Sequence, residues 1–162
     1  MKILNTGGTF NKRYDPIKGE LEVPYDNDAI ERIVATFSYE VEIAGMLYMD
    51  SLQMTQSDRD QLADIIEEDE EEVFVVVHGT DTMDLSARTL AGRQGLKDRV
   101  IVLTGAMTPF SIEPTEASLN LGMALGYAAT QPPPGVYICM SGIIAPYMRI
   151  KKNRAKGVFE IV

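Results

Sequence analysis

Apolar residues follow two alternating rhythms along this chain. Short apolar runs at Ile3-Leu4, Val41 to Ala44, Val73 to Val77, Val100 to Leu103 and Val136 to Met140 are bounded by turn-forming residues and predict strands. Between them, apolar positions recur every three or four residues from Ala29 to Phe37, around Leu62 to Ile66, from Leu85 to Leu96 and from Glu116 to Ala129, which predicts helices. Asp26 or Asn27 is placed to cap the first helix and Thr55 or Ser57 the second, and Pro132-Pro133-Pro134 stops the last. Strand then helix, repeated, is the pattern of an α/β domain with a mainly parallel sheet. Val73-Phe74-Val75-Val76-Val77, apolar at every position, fits a strand covered on both faces by helices. Residues Asn11 to Pro24, with Pro16, Gly19 and scattered charges, read as a loop or irregular hairpin. No repeat or linker-like stretch interrupts the chain, so residues 1–162 are expected to form one domain.

Composition narrows the class. Hydrophobic residues make up 45% and charged residues 24%, as in soluble globular proteins. No apolar run approaches the roughly 18–20 residues of a membrane helix, and Met1 to Gly8 has no stretch long enough for a signal peptide. A cytoplasmic protein with no membrane partner is expected. A formal net charge of −9 works against nucleic-acid binding, which needs a basic face. Cys139 is the only cysteine and His78 the only histidine, which excludes an intramolecular disulfide and a Cys/His zinc site; no metal site is expected. The acidic run Glu67 to Glu72 reads as a solvated helix end, with a partner-binding patch as the alternative.

Ligands of open α/β sheets bind beyond the carboxyl ends of the strands. Two strand ends here are rich in glycine and threonine: Thr6-Gly7-Gly8-Thr9 and His78-Gly79-Thr80-Asp81-Thr82. Glycine lets backbone and ligand approach closely, threonine offers a hydroxyl as nucleophile or hydrogen-bond donor, and the Asp81 carboxylate can bind an ammonium group. Neither end has the spacing of a dinucleotide fingerprint or a phosphate-binding P-loop. A third strand end, Thr104-Gly105-Ala106-Met107-Thr108-Pro109, is similar but has no ionisable group. His78 sits where a packed, hydrogen-bonded role is expected, so a base acting on these threonines would be a lysine or carboxylate, with a lysine requiring a lowered pKa.

Taken in order, Ile3-Leu4-Asn5-Thr6-Gly7-Gly8-Thr9, Asp50-Ser51, Val77-His78-Gly79-Thr80-Asp81-Thr82-Met83, Leu103-Thr104-Gly105-Ala106-Met107-Thr108-Pro109 and Asn120-Leu121 resemble the bacterial-type L-asparaginase family, specifically its larger N-terminal domain. The resemblance implies a flavodoxin-like fold and hydrolysis of the side-chain amide of asparagine, or of glutamine, with release of ammonia and no cofactor. By the same resemblance, Thr9 matches the threonine that attacks the amide carbon. Thr80, Asp81 and a lysine match a second catalytic group, and either threonine could make the first attack. Asp81 would also hold the substrate α-ammonium. Ser51, beside Asp50 and at the rim of the pocket, would bind its α-carboxylate, with Gly8 and Gly79 lining the site. The lysine is expected in Arg149-Ile150-Lys151-Lys152-Asn153-Arg154-Ala155-Lys156, with Lys152 matching and Lys151 as second choice; without the family, this stretch reads as a solvated basic edge.

The chain departs from the family at two points. The family's loop tyrosine aligns near Glu20, between Tyr14 and Tyr25. The smaller C-terminal domain, through which relatives complete a neighbouring subunit's site, has no counterpart up to Val162. A homo-oligomer, a dimer or larger, is therefore expected to rebuild the pocket wall. The leading expectation is an amidohydrolase acting on a small amino-acid amide; the alternative is a non-catalytic amino-acid-binding or regulatory module on the same scaffold.

Overall fold

In the computed structural model, which describes residues 1–162, strand β1 (Lys2–Gly7) leads into a hairpin of β2 (Arg13–Asp15) and β3 (Glu20–Glu22). Helix α1 (Asp28–Val34), β4 (Glu42–Met49), α2 (Gln56–Glu68), β5 (Val73–Val77), α3 (Met83–Gly92), β6 (Val100–Thr104), α4 (Pro114–Ala129) and β7 (Gly135–Met140) follow in alternation. The chain then makes β8 (Ile143–Pro146) and a second hairpin, β9 (Ile150–Asn153) and β10 (Val158–Ile161).

The main sheet has the order β4-β1-β5-β6-β7-β8, with β8 antiparallel to β7 and every other pairing parallel. This is a doubly wound sheet whose order reverses between β1 and β5, the place where such folds open a crevice for ligands. Alternation along the strands explains why both faces are covered. Ile3, Val75, Val77 and Val102 pack with α1 and α4 on one side; Leu4, Phe74, Val76, Ile101 and Leu103 pack with α2 and α3 on the other. Burying each such side chain stabilises the fold by about 1.5–3 kcal/mol, so the sheet holds the strand ends rigidly.

Local chemistry sets the boundaries. Thr55 and Asp58 form a reciprocal capping box at the start of α2. Asn27 occupies the N-cap position of α1 without capping it, because its side-chain oxygen accepts from Asn5 instead. The helix ends at Val34, short of Phe37, and Thr36 Oγ1 donates to the Ile33 carbonyl there. Strand β4 runs further than Val41 to Ala44 suggests, through Leu47 and Tyr48 at positive φ, and its register against β1 shifts between Asn5 and Gly7. Strands β8, β9 and β10 are additional to the strands that the sequence pattern predicts; β8 is an apolar run, Ile143-Ile144-Ala145, while β9 and β10 have few apolar positions. No helix is long and apolar enough to cross a membrane.

Candidate active site

The ends of β1 and β5 meet at the reversal point, and glycines bring them together. Gly8, at φ 75°, lies so close to Gly79 that a Cβ on it would stand 2.5 Å from the Gly79 backbone. A Cβ on Gly79 would in turn stand 2.6 Å from Ser51 Cβ and Oγ. Any side chain at either position would force apart the turns that carry Thr9, Ser51 and Thr80. Beneath them, Thr6 Oγ1 donates to the Val77 carbonyl, and Asn5 Oδ1 accepts from the Gly7 amide and from Asn11 Nδ2, both at 2.9 Å. Asn5 and Asn11 thus brace the short turn Thr9–Asn11. The third strand end is tied down as well: Asn120 Nδ2 donates to the Gly105 carbonyl, and Glu116 accepts from the amides of Met107 and Thr108.

His78 is fully buried directly behind Gly79. A carbonyl can only accept, so Nδ1, 2.7 Å from Gly79 O, carries the proton, and Nε2 accepts from Ser86 Oγ at 2.7 Å. Burial pushes its pKa down to about 4; the bond to the Gly79 carbonyl opposes this and the Arg59 charge adds to it. His78 is therefore a neutral structural group at neutral pH. Arg59, itself buried, donates to the Met54 carbonyl and to Thr82 Oγ1, and Thr82 Oγ1 donates to the Ser51 carbonyl. This relay fastens the Asp50–Met54 turn to the Thr80–Thr82 turn.

The β9–β10 hairpin delivers the amine. Lys152 Nζ donates to Thr80 Oγ1 at 2.8 Å and to Asp81 Oδ1 at 2.9 Å, with its side chain only 13% exposed. Alternation along β9 sends Lys151 the other way, into solvent, so Lys152 is the lysine that meets Thr80. Arg154, in the hairpin turn, donates to Asp81 Oδ1 at 2.6 Å and to the Asp81 carbonyl at 2.9 Å.

Thr9 follows Gly8 and is half-buried beside the Gly79–Thr80 turn, but no hydrogen bond joins it to the Thr80–Asp81–Lys152 set. Ser51 departs from its expected place. It is not at the rim: it is 1% exposed, sealed against Gly79, and its Oγ has no hydrogen-bond partner. The close Gly8–Gly79–Ser51 stack is the physical reason. Asp50 forms an ion pair with Lys12 at 2.6 Å and accepts from the Leu52 amide. Burial raises the Asp50 carboxyl, but the hydrogen bonds from Lys12 and Leu52 and the Lys12 and Lys152 charges outweigh it, leaving the pKa below the ordinary value. A groove of about 550 Å³ between the first hairpin and the Asp50–Gln53 turn is lined by Lys12, Glu20, Tyr25, Tyr48 and Asp50, but not by Tyr14. Tyr25 packs edge-on against Tyr48. No group of three His, Cys, Asp or Glu side chains is arranged to hold a metal ion.

Lys12, Arg59 and Arg154 were not singled out by the sequence. Each reads locally as a solvated charge, and its partner lies far along the chain or in backbone carbonyls. The nearness of Lys12 to Thr9 was the one available signal.

Comparison with known proteins agrees with this architecture. The family model described as "Asparaginase, N-terminal" matches residues 1–160. A glutamyl-tRNA(Gln) amidotransferase subunit of Methanococcus maripaludis is 33% identical over 147 residues, covering 88% of this chain and 35% of that protein. L-asparaginase 1 of Escherichia coli is 31% identical over 111 residues, covering 67% of this chain and 33% of that one. The thermostable L-asparaginase from Thermococcus kodakarensis superposes with a TM-score of 0.83 at 28% identity, over 100% of this chain and 51% of that structure. The chain thus spans about a third of the length of these curated relatives and about half of the solved structure. With its doubly wound sheet, its glycine-packed strand ends and a family match over residues 1–160, the chain belongs to the asparaginase N-terminal family.

Proposed function

We propose that the protein hydrolyses the side-chain amide of L-asparagine, or of a related small amide such as glutamine, to the acid and ammonia through a threonine nucleophile. The observation that carries this reading is the 2.8 Å contact between Lys152 Nζ and Thr80 Oγ1, closed by Asp81. A neutral lysine amine at that distance takes the proton of a hydroxyl, and a carboxylate on its far side fixes its direction. Thr9, on the adjoining turn, attacks the amide carbon. The tetrahedral adduct then breaks its C–N bond, and the nitrogen leaves as ammonia with the proton given up by the hydroxyl. The Thr80–Lys152 pair deprotonates the water that cleaves the resulting ester. Backbone amides beside Thr80 would stabilise the oxyanion, a contribution of about 2.7–4 kcal/mol per donor in such sites. The relatives' names, asparaginase and amidotransferase, both refer to amide chemistry and support this reading.

A binding-module reading is favoured by one observation: Asp81 is already met by two cations before any ligand arrives. Ammonia release from asparagine and glutamine, with Thr9→Ala as control, decides between them. Thermal stabilisation by these ligands without ammonia release supports the binding module. We also propose self-association, most simply as a two-fold dimer, because Ile112, Leu119 and Met148 are large apolar side chains left exposed. Sedimentation at micromolar concentration tests it, and a 17.9 kDa species throughout refutes it.

A further inference from the structure

We infer that His78 is a positioning residue of this site: by gripping the Gly79 carbonyl, it sets the Gly79–Thr80 peptide so that the Thr80 N–H faces the ligand as an oxyanion donor. The inference rests on the hydrolase reading above and adds a residue that never touches the substrate. Packing creates the need for it. Gly79 must lack a side chain, because a Cβ there would stand 2.6 Å from Ser51 Cβ and Oγ. Glycine is also the residue whose flanking peptide planes turn most freely. Something other than Gly79 must therefore fix the plane that leads into Thr80.

His78 supplies that restraint. Its Nδ1 donates to Gly79 O at 2.7 Å, the one hydrogen bond that this carbonyl accepts within the protein. Ser86 Oγ, on α3, donates to Nε2 at 2.7 Å and so keeps the proton on Nδ1. Burial lowers the ring's pKa to about 4, which preserves this tautomer at neutral pH. The Gly79 carbonyl is thus held toward the buried ring. In a trans peptide the N–H leaves by the opposite edge, so the Thr80 N–H points away from the ring. Thr80 is only 5% exposed, yet this N–H donates to no atom of the protein. Backbone donors at buried residues are almost always paired, and here the pairing is left to a ligand. The donor belongs to the residue whose Oγ1 meets Lys152 Nζ at 2.8 Å, so an oxygen bound to it sits beside the reacting groups. Without the ring, the peptide is free to turn over and present a carbonyl, which repels an oxyanion.

His78→Asn and His78→Leu separate the grip from the packing. Both lose the bond to Ser86, but Asn Nδ2 stands where His Nδ1 stood and still donates to Gly79 O, whereas Leu cannot. In ammonia release from L-asparagine, kcat should fall by about 10²-fold in His78→Leu and by less than about fivefold in His78→Asn, with KM within about threefold in both. Urea unfolding is measured alongside, because a merely structural histidine would make kcat track stability rather than the donor. A second readout needs no turnover. With threonine nitrogens isotopically labelled for NMR, L-aspartate offers a carboxylate oxygen where the oxyanion would form. It should move the Thr80 amide proton downfield in the unaltered protein and in His78→Asn, and leave it in place in His78→Leu. Equal kcat in the two variants, kcat that follows the urea midpoint, or the unaltered protein's amide shift in His78→Leu overturns the inference and leaves the hydrolase reading standing. The expected amide pattern without ammonia release from any form supports the positioning role and defeats the hydrolase reading. No amide shift in any form overturns the inference alone if ammonia is released, and both readings if it is not.

Discussion

Thr80 and Lys152 touch, yet they belong to regions built in different ways. Thr80 stands at the end of a strand with α/β layers on both sides, wedged with Gly8, Gly79 and Ser51 into a stack that admits no added Cβ. Lys152 rides on a two-stranded hairpin in which only Ile150 and Phe159 are buried. Those two side chains join the core beside β8, and Phe159 N donates to Ser141 Oγ. The threonine is positioned by the packing that stabilises the whole fold, whereas the amine is positioned by two anchors and its own hydrogen bonds. Changes in the first region should therefore act on stability and activity together, and changes in the second on activity almost alone.

The largest effect expected from this contrast is Lys152→Ala. If Lys152 is the base of the proposed mechanism, its loss lowers kcat by about 10²–10⁴-fold, while the midpoint of urea unfolding should barely move. A matching loss of stability would show that the hairpin is part of the core after all. Gly8→Ala is the counterpart in the packed region. Overpacking of about 1–3 kcal/mol, together with about 1–2 kcal/mol for a left-handed φ, predicts a loss near 3 kcal/mol in urea unfolding along with activity. Gly19→Ala also sits at positive φ, but with nothing within 4 Å, so it should show only the backbone part.

The buried histidine sharpens the comparison through pH. His78 takes up its proton near pH 4 when folded and near 6.5 when unfolded, because burial lowers its pKa. Between these values the unfolded chain binds more protons, so stability falls as pH drops from about 6.5 to about 4, by roughly 3 kcal/mol in all. Below that window the lowered carboxyls, Asp50 among them, add their own loss as they protonate. Urea titrations across pH 4–7 read the slope, and His78→Asn should flatten it. The smallest effect is at Cys139, whose thiol burial pushes up to about 12. It should stay unmodified by alkylating reagents at pH 8 until urea unfolds the chain; labelling of the native protein would mean that β7 opens locally.

How much of this was legible depended on whether the signal was local. Strands β5, β6 and β7 were, because a strand buried on both faces must be apolar at nearly every position. The threonine- and glycine-rich strand ends were legible for a related reason: only small residues fit where two turns abut. The hairpin was not, since its alternation is hidden by Lys151, Lys152 and Asn153 at the surface, and only Ile150 and Phe159 mark its buried face. Nor were the Lys12–Asp50 and Arg154–Asp81 pairs, whose members are separated by 38 and 73 residues. Ser51 was expected at the rim and is buried instead, because nothing in the sequence reveals that Gly79 closes over it.

The contact between Lys152 and Thr80 spans 72 residues, and this has a bearing on synthesis. A chain emerging from the ribosome displays Thr9, Thr80 and Asp81 long before the amine exists. Its central strand, β1, can meanwhile pair one edge once β4 is made and waits for β5 before both of its edges are paired. On the proposed mechanism, the hydroxyls are thus made well before the amine that would activate them. On that mechanism, competence would await the docking of the late β9–β10 hairpin, so translation order would act as a safety catch on the chemistry.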